Sequence, residues 1–290
     1  MFCSLLRTAI IGLLLGLLAG CSAVRLAYGQ APTLGYWWID GYVDLDGAQS
    51  VKVRESLHEL ARWHRATQLA DLADLVAKAQ RQAVAPATPA QACAWFGELT
   101  DRLNLVYERA IPAMAEVALT LRPNQLKHLE RRYEKANQEF KEDFLQASVA
   151  DRQRESVRRA VERAEFFYGD LDASQREVIA RGVAASPFDP NAWLAERRAR
   201  QADVLAQLRR WTAERASPEV VRAGLRTLGE RTHRSVREPY RQYQQRLLDY
   251  NCAFAAEIHN ATTPAQRQHA VKKLRGWEED LRALAADAPS

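Results

Sequence analysis

Along most of the chain, apolar positions recur in steps of three and four. Val53, Leu57, Leu60, Ala61 and His64 fall on one helical face, as do Leu69, Leu72, Ala73 and Val76. The same spacing joins Ala92, Phe96, Leu99, Leu103, Val106 and Ala110. It joins Leu126, Leu129, Tyr133 and Phe140, and then Val236, Tyr240, Tyr243, Leu247, Tyr250 and Phe254. Near the end it joins Ala270, Leu274, Trp277, Leu281 and Leu284. An average step of about 3.5 residues is the seam of long, nearly parallel helices. No run alternates at period two between turn signals, so no sheet is expected. The pattern predicts an all-α bundle of long, mostly antiparallel packed helices.

The helix starts are legible from capping chemistry. Thr88-Pro89-Ala90-Gln91 and Thr263-Pro264-Ala265-Gln266 are the same tetrapeptide. Asp46-Gly47-Ala48-Gln49 and Asp172-Ala173-Ser174-Gln175 follow the same logic. The first side chain caps the helix and the Gln three residues on reaches back, while proline suits the first helical position. Arg122-Pro123-Asn124-Gln125 keeps the Pro and the Gln, but Arg122 has no acceptor for a backbone N–H. Asp189-Pro190 and Ser217-Pro218 mark two more starts. Helices are predicted near 46–66, 67–83, 88–120, 123–147, 151–168, 172–184, 190–215, 217–260 and 264–286. Pro112 and Pro239 lie inside helical patterns and should kink or break them. Short connections predict that sequential neighbours pack together. Ser186-Pro187-Phe188-Asp189-Pro190 is the one turn-rich break near the middle.

Before this domain comes a different pattern. One cation, Arg7, precedes an apolar run from Ala9 to Leu18, too short to span a bilayer but suited to a signal-peptide core. Leu18-Ala19-Gly20-Cys21 follows, and it resembles the lipobox of bacterial lipoproteins. That resemblance implies cleavage before Cys21, lipidation of Cys21, and anchoring by acyl chains rather than by a spanning helix. Ser22 in place of Asp implies sorting to the outer membrane, facing the periplasm. The division is then residues 1–20 signal peptide, 21–35 lipidated tether with Gly29, Pro32 and Gly35, and 36–290 a single all-helical domain. Tyr36-Trp37-Trp38-Ile39 opens that domain. It reads as the first core residues, with an interfacial aromatic cluster as the alternative.

Charge changes the picture little. Lys and Arg total 41 against 36 Asp and Glu, for a net +5. Arg152, Arg154, Arg158 and Arg159 are interleaved with Glu155 and Glu162, as Arg197, Arg198 and Arg200 are with Glu196, which reads as solvated helix faces. Nucleic acid is not an expected partner; the membrane, through the lipid, is. Anionic head groups are the reachable ligands of any basic face. Cys93 and Cys252 remain after processing, an even pair in an oxidising compartment. They read as a disulfide, with two buried thiols as the alternative.

Three helix starts, Leu45-Asp46-Gly47-Ala48-Gln49, Leu121-Arg122-Pro123-Asn124-Gln125 and Leu171-Asp172-Ala173-Ser174-Gln175, resemble the Leu-Thr-x-x-Gln repeats of periplasmic stress chaperones. None has Thr at the second position. A broader resemblance rests on Glu162-Arg163-Ala164-Glu165 through Tyr168-Gly169, on Ser186-Pro187-Phe188-Asp189-Pro190 with Trp193, and on His259-Asn260 with Thr263-Pro264 and Gln266-Arg267. These are similar to an uncharacterised family of Gram-negative lipoproteins. It implies a helical domain and brings no activity.

Chemical motifs are sparse. The six histidines form no His-Glu-x-x-His pattern, and there is no Cys-x-x-Cys, nucleophile elbow or phosphate loop. Glu55 and Glu59 with His58 are the nearest approach to a metal set, so no metal and no cofactor are expected. His259-Asn260-Ala261-Thr262-Thr263 is the most specific polar cluster. It reads first as a helix end, with Asn260 as C-cap and His259 at the negative end of the dipole, and second as a polar site. Trp63, Trp95, Trp193, Trp211 and Trp277 lie among apolar positions and read as core. The expectation is therefore a non-enzymatic envelope protein that binds or scaffolds a partner protein. The alternatives are a chaperone-like client binder and an envelope enzyme acting on peptidoglycan or lipid.

Overall fold

Capping side chains set where the helices begin. In the computed structural model, which describes residues 23–287, Asp46, Thr88, Asp172 and Thr263 each accept the backbone N–H of the Gln three residues on. That Gln returns a bond to the cap N–H. At Arg122 only the return half exists, Gln125 Oε1 accepting the Arg122 N–H at 3.0 Å. The described residues form eleven helices and no strand. In order they are α1 (Ala23–Val43), α2 (Gly47–Thr67), α3 (Leu69–Ala83), α4 (Pro89–Leu119), α5 (Pro123–Phe144) and α6 (Val149–Tyr168). Then come α7 (Ala173–Ala185), α8 (Pro190–Glu214), α9 (Pro218–His233), α10 (Glu238–Asn260) and α11 (Pro264–Ala286). The Leu18–Cys21 motif and the apolar run before it lie outside the described residues.

The cap glutamines do a second job. Gln125 Nε2 donates to Gln49 Oε1 at 2.6 Å, and Gln49 Nε2 points back to Gln125 Oε1 at 3.3 Å. Each amide also donates to the backbone just ahead of the other helix, Gln125 to Asp44 O and Gln49 to Thr120 O. The arrangement recurs between Gln175 and Gln266, whose amides exchange bonds of 2.6 and 2.9 Å and reach Ala261 O and Asp170 O. Two pairs of helix starts are thus tied together by side-chain amides, buried at Gln49, Gln125 and Gln175.

Apolar packing completes the bundle. On α4, Ile111 and Ala115 are fully buried; they meet Leu126 and Leu129 of α5, Leu205, Leu208 and Trp211 of α8, and Val221 and Leu225 of α9. Gly224 allows this approach, because a Cβ there would lie 2.2 Å from the Trp211 ring. Leu69 and Ala73 of α3 pack with Leu281 and Leu284 of α11. Val161 and Ala164 of α6 pack with Ile179 of α7, against Phe254 and Ile258 of α10. The main pairings, α3 with α11 and α4 with α9 and α10, join elements far apart in sequence. Short loops therefore explain only part of the order, such as α1 on α2 and α6 on α7.

Several expectations need correction. The tether expected over 21–35 is helical from Ala23 onward, and the helix continues without a break to Val43, through Pro32. Tyr36 is buried, but Trp37 and Trp38 are exposed and do not join the core. The single helix over 217–260 is two. Pro239 lacks an N–H and sits in the first turn of α10, and Ser235 in the break is 2% exposed. The Ser235 hydroxyl donates to buried Glu196 at 2.8 Å and accepts the Arg237 N–H, so the break is pinned to α8. Pro112 does not break α4, which runs from Pro89 to Leu119. It forfeits a single ladder bond, and the buried residues beside it hold the helix together.

Candidate functional site

His259 and Asn260 end α10. His259 is 8% exposed, and both ring nitrogens are engaged. Nε2 lies 2.8 Å from Ala85 O, so it must carry the proton and donate; Nδ1 then accepts from the Tyr168 hydroxyl at 2.9 Å. Burial lowers the His259 pKa, with Arg267 adding to the effect and the Ala85 bond opposing it. Burial therefore favours the neutral ring. The same burial raises the Tyr168 hydroxyl. Asn260 does not cap its own helix; the cap is Ala261 in an ordinary helical conformation. The Asn260 amide instead clamps the loop before α4, accepting the Ala87 N–H at 2.8 Å and donating to Ala87 O at 2.9 Å. Thr262 donates to His259 O, and Arg267 donates to Thr262. The His259 ring and the Asn260 amide are thus spent on joining α10 to α6 and to the α3–α4 loop.

Cys93 on α4 and Cys252 on α10 lie close by. Their sulfurs are 2.00 Å apart and their Cα atoms 5.1 Å apart, across 159 positions of sequence. Cys21 lies outside the described residues. Among the described residues, no group of three or more His, Cys, Asp or Glu could hold a metal, so Glu55, His58 and Glu59 form no such set. No described helix is long and apolar enough to cross a membrane.

A different region offers a surface with room for a ligand. α5, α6, α8, α10 and the α7–α8 loop enclose a groove of about 900 Å³. Its floor is aromatic. Phe140 stacks on Phe144 at 4.6 Å and on Trp193 at 4.3 Å, and Phe188 meets Phe144 edge-on at 6.1 Å. Its walls carry Arg152, Arg159, Arg163 and Arg197 against two carboxylates, Glu139 and Asp143. The Arg159 guanidinium lies 4.4 Å from the Phe144 ring and that of Arg197 lies 5.3 Å from the Trp193 ring. Arg152 and Arg163 donate to the carbonyls of Gln146 and Arg159, while Arg159 donates to Asp143 O at 3.0 Å and lies 4.0 Å from the Glu155 carboxylate. Aromatic floor and cationic wall together suit an anion attached to an apolar or aromatic group.

Composition alone hides this groove. Arg154 and Arg158 pair with Asp151, Glu155 and Glu162, and they are the solvated face the interleaved charges predict. Arg152, Arg159 and Arg163 stand at intervals of seven and four, so they share another face of α6, the one turned to the groove. That interval was the available signal. Trp193 and Phe188, in the segment Ser186–Pro190 and just beyond, form the floor rather than the main core. Trp211, by contrast, is fully buried.

A family model matches residues 41–241, more than two thirds of the chain. The protein belongs to DUF6279, a family of unknown function. No curated protein and no solved structure matches the chain. The DUF6279 match contains α5, α6, α7 and α8, and with them the aromatic floor and all four groove arginines. The first part of α1, Cys252 and the His259–Asn260 junction fall outside the matched span. The resemblance to an uncharacterised family, read over nearly the whole mature chain, is therefore shown for these 41–241 residues.

Proposed function

We propose that this protein is a lipid-anchored, non-catalytic binding or scaffolding protein of the cell envelope. In this reading acyl chains on Cys21 hold it to the outer membrane with the helical domain in the periplasm. The groove takes an acidic segment of a partner protein that also offers an apolar or aromatic side chain. The observation that carries the binding part is the groove itself. Four arginines outnumber two carboxylates over a floor of four rings. A guanidinium has five N–H donors, so Arg197 and Arg159, although Arg159 already bonds Asp143 O and Ser156, can offer further N–H groups to a carboxylate while the rings receive the apolar part. The anchor part is supported by the charge, apolar run and small residues ahead of Cys21.

The test is crosslinking in intact cells, followed by capture of wild type and of an Arg159→Glu, Arg197→Glu variant. A stoichiometric partner captured by wild type and lost from the variant is expected. Equal capture by both proteins would remove the groove from the account. Metabolic labelling with an alkyne fatty acid tests the anchor separately. Label on wild type and none on Cys21→Ala is expected, and unlabelled wild type would refute it.

A further inference from the structure

Helix α1 is amphipathic in an unusual sense. Its inner side is held by the domain: Tyr36 is buried, and the Tyr28 hydroxyl bonds to Ala61 O and His64 on α2. Its outer side is apolar and open. Leu26, Leu34, Trp37 and Trp38 are 60–66% exposed. At 100° per residue, Leu26, Gln30, Leu34, Trp37, Trp38 and Gly41 fall on one continuous arc. That arc contains no charge, and the whole helix has only Arg25 and Asp40. The Asp40 carboxylate is turned to the Leu45 N–H at 3.0 Å.

Cations border this arc. The Arg54 guanidinium sits 3.3 Å from the Tyr36 ring and 5.9 Å from that of Trp37. On the other edge, Arg132 lies 5.2 Å from the ring of Tyr42, which is next to Trp38. An apolar strip with two tryptophans, edged by arginines, matches the depth profile of a bilayer interface. Rings and leucines enter the head-group boundary, and guanidinium groups meet phosphates.

We infer that the outer face of α1 is a membrane-docking surface, and that α1 lies flat on the bilayer to which Cys21 is anchored. The inference rests on the lipid-anchor reading for its occupant. Cys21 stands two residues before the first residue of α1, so anchored lipid brings the helix start to the membrane. Length then decides the orientation. A helix standing upright would lift Trp37 about 20 Å above its start and expose both tryptophans to water. Lying flat puts Leu26, Leu34, Trp37 and Trp38 at one depth. Trp38 lies 4.9 Å from the ring of Tyr42, which also lines the groove, so docking sets the groove beside the membrane surface.

The experiment uses the full-length protein purified from cells and reconstituted into phosphatidylethanolamine and phosphatidylglycerol vesicles. Part of the phosphatidylglycerol carries bromine near the head-group end of its acyl chains, where it quenches nearby tryptophan. Flotation, tryptophan emission and fatty-acid label at Cys21 are read on the same preparation. Wild type should float and be quenched. A Trp37→Phe, Trp38→Phe variant with unchanged circular dichroism should float equally and lose most of the quenching. Wild type that floats without quenching overturns the docking and leaves the anchor standing, including when the face is found crosslinked to a second copy. Wild type that does not float overturns both. Quenching that persists in protein without acyl label supports docking while it overturns the anchor.

Discussion

The paired cap glutamines make the most direct prediction about what holds the bundle together. Gln125 is 3% exposed and its amide takes part in three firm bonds. It accepts the Arg122 N–H at 3.0 Å, donates to Asp44 O at 2.8 Å and donates to Gln49 Oε1 at 2.6 Å. Gln125→Ala removes all three and leaves their partners short of water. At about 0.5–1.5 kcal/mol net per bond, and more for a group left unpaired, the loss is about 3 kcal/mol. Urea unfolding followed by far-ultraviolet circular dichroism would show it. With a slope of about 3 kcal/mol/M for a chain of this size, the midpoint falls by about 1 M. Gln49→Ala should cost a similar amount. The double variant should cost less than the sum by about 1 kcal/mol, because the two amides share a bond. A Gln125→Ala protein within about 0.5 kcal/mol of wild type would refute the reasoning. Additive costs would show that the amides cap their own helices without joining each other.

Helix identity was legible because it rests on local chemistry. Thr88 with Gln91 and Thr263 with Gln266 announce their helices within four residues, and the structure places both starts there. Pairing between helices was not legible. Nothing in a capping box says that Gln49 will meet Gln125, 76 residues away, since that contact is made by packing. The same limit hid the groove. Periodicity marks Phe140 and Trp193 as apolar, and only the crossing of α5 with α8 stacks their rings. For α1, glycine and proline at Gly29, Pro32 and Gly35 argued for a loose segment. The contacts of Tyr28 and Tyr36 with α2 outweigh that low intrinsic helix preference. At Asn260 the side-chain type pointed to its own helix end, but the neighbouring loop presents Ala87 with both groups free to bind.

Further predictions concern stability. Replacing Cys93 and Cys252 by Ala should cost up to about 5 kcal/mol in the chain-entropy view of so long a loop. Wild type under reductant should unfold with the variant; equal midpoints with and without reductant would contradict this. Gly182→Ala should destabilise by about 1–3 kcal/mol in urea, because its Cβ would lie 2.1 Å from the Phe254 ring; an unaffected variant would show that Phe254 moves aside freely. Burial lowers the pKa of both His259 and His64 in the folded state. Their contribution is therefore fully present above about pH 6.5, the unfolded value, and shrinks as pH falls below it. Urea midpoints should decline on acidification through that range, and histidine titrations by NMR should fall below the ordinary value. A His259 titration at or above it would refute the neutral, doubly bonded ring.

The proposed role of the groove is to hold a partner. The most direct measurement places a photoreactive amino acid at Phe188, in the groove, and separately at Val220, an exposed position on α9 outside it. Irradiation of living cells should give one discrete adduct from position 188, absent from position 220 and lost when Arg159 and Arg197 are changed to Glu. Adducts that are the same from both positions, or none from position 188 in cells that carry the protein at its normal level, would contradict it.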